Sequence, residues 1–288
     1  MNAALFGGIC AVGLGSADFM GRFSSRAIGH HNALLGMLLA STALVSLWVW
    51  GAGAQIVWDT HGLWLVAING AATTVMTLLL YLGLARGPVS VVAPIVAAHP
   101  VLVLLFYFVV SGVRPGMIEW AAMAVTIAGA AIVAWSAETG GAGVSRIRKK
   151  FRKTVLIAVL SSIAYAVLVV AGQAAAPIYG EIQTLWMGRL VSLATLILIF
   201  AGRRRAPALP VRWWPFLTVQ GLLDSGGYIA LFAGSQGANA EVAAVTASTF
   251  GVITVLLAWI ILRERINGPQ WLGIALVFAG IAILSGAN

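Results

Sequence analysis

The sequence predicts an all-α, polytopic membrane protein, with ten transmembrane helices arranged as two inverted five-helix repeats. Three observations carry that reading. Of the 288 residues, 61% are hydrophobic and 9% charged, and the mean hydropathy is +0.99. A soluble domain carries about 25% charged residues, so the solvent this chain suits is lipid. Apolar stretches near the roughly 20 residues needed to cross a bilayer recur ten times. The second half of the chain then repeats the pattern of the first.

The spans run approximately over 3–24, 31–51, 62–85, 88–110, 116–137, 154–176, 182–202, 213–236, 240–262 and 268–286. Turn-forming residues mark the cuts: Gly87-Pro88, Arg114-Pro115-Gly116, Ala206-Pro207 through Pro210, and Asn267-Gly268-Pro269. The first span has no basic leader and no cleavage signal after it, so it reads as a retained helix. Residues 1–138 form the first repeat, 139–153 a linker closing on the basic run Arg146 to Lys153, and 154–288 the second repeat. At an offset of 150 to 151 residues, Gly87–Val133 aligns with Gly237–Leu284, placing Trp120 on Trp271 and Gly129 on Gly280. Five spans is an odd number, so continuous threading inserts the second half upside-down. This is the inverted-repeat plan of many secondary transporters, which place the substrate site at the midplane between halves.

The formal charge of +9 does not point to nucleic acid, because the basic residues stand in short runs between apolar stretches, as in cytoplasmic membrane loops. With the N-terminus outside, fifteen Lys and Arg fall in cytoplasmic loops: Arg22, Arg26, Arg86, six in the linker, Arg203, Arg204, Arg205, Arg212, Arg263 and Arg265. Only Arg114 falls on the other side, and Arg189 lies within a span. This bias places the protein in the cell (inner) membrane with a cytoplasmic linker and both termini on the non-cytoplasmic side. The single cysteine, Cys10, excludes an internal disulfide and reads as a small buried hydrophobe. Trp58, Trp120, Trp213, Trp214 and Trp271 sit at span ends, where interfacial belts want them.

Ionisable groups inside spans each cost roughly 2.5–3.5 kcal/mol on insertion scales and need a reason. Arg189 and Asp224 lie at similar depth in the seventh and eighth spans, the pattern of an intramembrane ion pair; the sharper alternative puts Asp224 on a cavity wall. Gly226 and Gly227 follow it and weaken the helix, which makes them hinge candidates together with Pro100. Asp18 and Arg22, four residues apart, are expected to pair at the membrane interface. His99 is central in the fourth span, beside the proline that frees backbone carbonyls.

An offset of 150 maps Gly15 to Tyr165, Thr74 to Asp224, Leu78 to Tyr228 and His99 to Thr249. A two-fold axis in the membrane plane would set such mates on opposite walls of one cavity. The expected substrate-binding set is Thr74, Leu78, His99, Tyr165, Asp224, Tyr228, Thr246, Ser248 and Thr249. A pocket so lined suits a small amphipathic molecule with an apolar body. There is no HExxH-type motif and one central histidine, so neither a metal site nor a cofactor is expected, and a membrane-embedded enzyme fits poorly. A passive channel would want a continuous polar lining, which is missing.

Leu256-Leu257-Ala258-Trp259-Ile260-Ile261-Leu262-Arg263-Glu264-Arg265-Ile266, followed by Trp271-Leu272-Gly273-Ile274-Ala275-Leu276 and Ala279-Gly280, resembles the span-nine-to-ten signature of EamA-type ten-helix exporters of the drug/metabolite transporter superfamily. Leu82-Gly83-Leu84-Ala85 and His99-Pro100-Val101-Leu102 resemble the first-half counterparts, and Gly15-Ser16 the small-residue motif of the first span. The resemblance covers nearly the whole chain. It implies inverted five-plus-five architecture and alternating-access export of small metabolites, amino acids foremost. His99 and Tyr165 stand where aromatic amino-acid exporters carry aromatic or polar residues. The alternative it leaves is a multidrug or other metabolite exporter with proton coupling through Asp224 or His99. The sequence departs from the family pattern where Phe250 stands as the expected mate of Pro100 and where Arg114 replaces a glutamate. The resemblance also implies cytoplasmic termini, the reverse of the charge count, and the charges are followed. The expected partners are a small-molecule substrate and lipid, with no nucleic acid; a monomer would suffice.

Overall fold

In lipid a backbone group must find its hydrogen-bond partner within the protein, so spanning segments are helices. A computed structural model of the chain describes residues 3–51, 53, 56–112, 114–139, 145–204, 206–235 and 240–286. Among these, the helices are α1 (Ala3–Ile28), α2 (His30–Gly51), α3 (Leu63–Arg86), α4 (Val89–Ala97), α5 (His99–Ser111), α6 (Met117–Thr139), α7 (Ser145–Tyr179), α8 (Glu181–Gly202), α9 (Trp214–Ser235), α10 (Ala240–Ala247), α11 (Phe250–Ile261) and α12 (Gly268–Gly286), with no strand. Nine spans are long and apolar enough to cross a membrane when α4 and α5 count as one. The tenth is the pair α10–α11. The basic run expected as linker is helical from Ser145 and continues into the sixth span. Residues 140–144 of that linker, Arg205 and Gly237 lie outside the described residues.

Two spans are broken, and each break has a local cause. Pro100 has no N–H, and its ring cannot sit under the carbonyl of Val96. The fourth span therefore stops at Ala97, turns at Ala98 (φ −72°, ψ 3°) and restarts at His99. The His99 ring Nδ1 lies 3.3 Å from Val96 O, so a proton on that nitrogen satisfies the carbonyl Pro100 leaves open. The ninth span breaks without a proline. Ser248 Oγ donates to Val245 O and Thr249 Oγ1 to Thr246 O, both at 2.7 Å. Hydroxyls that bond back to carbonyls three residues earlier compete with the helix ladder, and the chain turns at Thr249 (φ −76°, ψ 1°).

The matched turns at Ala98 and Thr249 fix the repeat at 151 residues, and so do the helix starts: His30 and Glu181, Leu63 and Trp214, Val89 and Ala240, Met117 and Gly268. The expected offset of 150 is therefore one residue short across the polar pairs. Thr249 is the mate of Ala98, not of His99; His99 corresponds to Phe250 and Pro100 to Gly251. Likewise Thr74 corresponds to Ser225, Leu78 to Ile229 and Gly15 to Ala166. One residue is a rotation of about 100° around a helix, enough to move a side chain to another face. The one-residue connections follow the same register: Gly29 (φ +84°) joins α1 to α2 and Gly180 (φ +79°) joins α7 to α8. Both lie in the left-handed region that glycine enters without penalty.

The halves interdigitate: α1 packs on α9, α10 and α11, while α7 packs on α3, α4 and α5. Thr74 Oγ1 donates to Ser192 O and lies 3.0 Å from Ser192 Oγ, tying α3 to α8. The mates, Ser225 and Ser41, have hydroxyls 2.5 Å apart and tie α9 to α2. Glycines bring the same backbones together. A Cβ on Gly70 would stand 2.6 Å from Gly188 O, and one on Gly221 2.6 Å from Met37 O. Such reciprocity is a two-fold relation, and with five spans per half its axis lies in the membrane plane. Around it α6 and α12 cross on small residues, as membrane helices do. At that crossing a Cβ on Gly129 would meet Gly273 O and Val277 N, both at 2.7 Å. Those backbone atoms have nowhere to move, so Gly129→Val is expected to cost about 1–3 kcal/mol. Thermal unfolding of the purified protein in detergent should show this as a lower midpoint, with Gly8→Val, which faces open space, unchanged.

Candidate substrate cavity

A cavity of about 300 Å³ lies between α3, α7, α8 and α9. Its polar lining is Asn69, Thr73, Gln173, Glu181, Thr184, Arg189 and Tyr228, and Leu168, Leu185, Leu231 and Phe232 supply apolar walls. These residues sit towards the starts of α3 and α8 and the ends of α7 and α9. Glu181, exposed at the first position of α8, stands at the mouth. The cavity thus opens at the end of the bundle opposite Arg22, Arg86 and Arg263.

Arg189 forms its floor. Its Nη2 donates to Asp224 Oδ2 at 2.5 Å, and Asp224 Oδ2 also accepts from Ser41 Oγ at 3.2 Å. The guanidinium carbon lies 5.4 Å from the centroid of the Tyr228 ring, within cation–π range. Among the described residues, the buried Arg189 Nε has no partner. Tyr228 packs, as Phe250 does, on the cluster of Cys10, Leu14 and Ala247. Tyr165 stacks on His99, ring centroids 3.7 Å apart and planes within 6°, and faces Phe250 at 6.4 Å. A continuous line of side chains therefore runs from the ion pair through Tyr228, that cluster, Phe250 and Tyr165 to the broken fourth span.

Of the expected substrate-binding residues, Tyr228 lines this cavity; Asp224, Tyr165 and His99 are not in its lining, and the others are placed differently again. Thr74 is fully buried, its hydroxyl taken by Ser192. Leu78 packs against the main apolar core. The hydroxyls of Thr246, Ser248 and Thr249 bond carbonyls of α10. Helix α9 is continuous through Gly226 and Gly227. Gly227 makes room for α1, since a Cβ there would stand 3.0 Å from Leu14 Cγ. Pro100 opens α5. Asn69, Thr73, Gln173 and Thr184 were not singled out from the sequence. Their only signal there is that each is a polar residue in an apolar span.

The opposite end is closed by a contact the sequence did not suggest. Glu264 accepts from the backbone N–H groups of Val89 and Ser90, both at 3.0 Å, so it caps α4. It also accepts from Arg22 Nη1 at 2.9 Å, and Arg22 donates to Gly87 O at 3.0 Å. Arg22 therefore pairs with Glu264 and not, as expected, with Asp18. An exposed i,i+4 pair is worth only about 0.2–0.5 kcal/mol, whereas here each partner is 11% exposed and shares further hydrogen bonds. Behind it Gln220 donates to Tyr81 at 2.5 Å and to Ala17 O at 3.2 Å. Replacing Glu264 by Ala should destabilise the fold by on the order of 3 kcal/mol, because Arg22 loses its counter-charge and α4 its cap. Exchanging the charges (Arg22→Glu with Glu264→Arg) should recover only part of the melting temperature, since an arginine cannot accept from the two N–H groups.

The model of the EamA-like transporter family matches residues 1–135 and again residues 152–286, one copy on each half. Among solved structures, one described only as the crystal structure of a protein superposes with a TM-score of 0.67 at 19% identity, covering 98% of this chain and 95% of that one; this likeness is one of fold. No curated protein matches. A multi-pass helical bundle, repeated about an in-plane axis and holding a cavity between its halves, is matched twice over by a single family model, and the chain belongs to the EamA-like transporter family.

Proposed function

We propose that this membrane transporter of small molecules exports amino acids, those with aromatic or other apolar side chains first, by alternating access around the cavity between its halves. The basic end, with Arg22, Arg86 and Arg263, is cytoplasmic, and both termini are on the other side. In that orientation the cavity faces outward and the Arg22–Glu264 contact closes the cytoplasmic path. The observation that carries the reading is the cavity itself: lined by the starts of α3 and α8 and the ends of α7 and α9, of a size for one small solute, with Arg189 of the ion pair at its floor and apolar walls. The breaks at Ala98 and Thr249 supply matched joints, one in each half. Rocking about them would carry the Tyr165–His99 stack past the midplane and open the latched end.

Counterflow in proteoliposomes with a panel of amino acids, with and without a pH gradient, tests this. Exchange of phenylalanine, tyrosine or leucine above protein-free vesicles is the expected result; exchange of none would remove the amino-acid assignment. His99→Leu and Tyr165→Ala should each lower that exchange by about tenfold or more while leaving the protein folded in detergent. Exchange at the wild-type rate in both variants would show that the stack plays no part in the transport path.

A further inference from the structure

Resting on that transport reading, we propose that Arg189 is the anchor for a substrate carboxylate, and that Asp224 is the counter-ion a bound carboxylate displaces. The repeat itself argues against a purely structural pair. At an offset of 151 the mates of Arg189 and Asp224 are Leu38 and Thr73. There the same seam, α2 on α3, closes with a fully buried leucine and a threonine whose hydroxyl bonds Asn69 O at 2.8 Å. The fold needs no charge at this crossing. Only the α8–α9 copy, whose arginine forms the cavity floor, carries one.

The geometry of the pair points the same way. A guanidinium meets a carboxylate best through two parallel N–H bonds. Arg189 reaches Asp224 through Nη2 alone, and among the described residues its Nε has no acceptor although the side chain is 5% exposed. Asp224 is not held by Arg189 alone, because Ser41 donates to it and Ser41 is tied to Ser225. The carboxylate therefore keeps a hydrogen bond when the arginine turns to a ligand. Of the other polar residues lining the cavity, Glu181 at the mouth is acidic and the rest are neutral. A cation at the floor and an acid at the rim suit a zwitterion, carboxylate inward and ammonium outward, with its side chain against Leu168, Leu231 and Phe232.

The test uses the wild-type protein and four matched probes: phenylalanine, phenylalaninamide, 3-phenylpropionate and phenethylamine, with the leucine series in parallel. Binding to the purified protein and counterflow are both read. The acid of each pair should bind at least about tenfold more tightly than its amide or amine, the loss expected for one charge-assisted contact. Arg189→Lys should narrow that gap, and the double variant Arg189→Gln with Asp224→Asn, which leaves no unpaired charge, should abolish it while remaining folded. An amide or amine that binds as well as the acid overturns the anchor and leaves the transport reading standing. If neither acid nor amide of either series binds or exchanges, both fall.

Discussion

A carbonyl exposed within the bilayer must find a donor, and most of this architecture follows from that constraint. It makes the spans helical, and it decides where a span can break. At Ala98 the carbonyl that Pro100 cannot serve is met by the ring of His99. At Thr249 the hydroxyls of Ser248 and Thr249 take the carbonyls themselves. Two unrelated chemistries yield nearly identical backbone angles at equivalent positions. Each break also packs against a helix of the opposite half, which leaves its turn half-buried: α4 and α5 lie against α7, and α10 and α11 against α1.

The scaffold is symmetric and the chemistry on it is not. Small residues and hydroxyl clasps recur at an offset of 151: Gly70 with Gly221, Thr74 with Ser225, Ser41 with Ser192. These contacts hold the halves together from both sides of the axis. The charges break the pattern. Arg189 and Asp224 occupy one seam only, and Arg22–Glu264 closes one end only. Repetition supplies two equivalent walls; departure from it gives the cavity a direction, with an open end, a charged floor and a latched base.

Hydropathy and turn residues are properties of the chain itself, so the ten spans and the repeat were legible in the sequence. Opposite charges at matching depth in successive spans are also legible, and Arg189 and Asp224 do meet. The register was not. In the sequence Gly87 and Gly237 stand 150 apart and Trp120 and Trp271 stand 151 apart, and it is the helix starts and the turns at Ala98 and Thr249 that fix 151. Thr246, Ser248 and Thr249 looked like cavity groups because they are polar, yet short hydroxyl side chains in an apolar helix readily bond their own backbone. The Arg22–Glu264 contact joins residues 242 apart, and no local pattern announces such a pairing. The i,i+4 spacing of Asp18 and Arg22 offered a nearer partner that the three-dimensional fold passes over.

Alternating access requires a chamber reached from one face of the membrane at a time. Cys10 is buried, so a Cys10→Ala background allows single cysteines to report access in sealed, oriented vesicles. A cysteine at Thr184, in the chamber, should react with an impermeant maleimide added to the outer face. One at Ser90, under the Glu264 cap, should be protected from both faces until substrate is supplied, and should then react from the inner face. Simultaneous labelling of Thr184→Cys from both faces, or of neither position under any condition, would contradict the account.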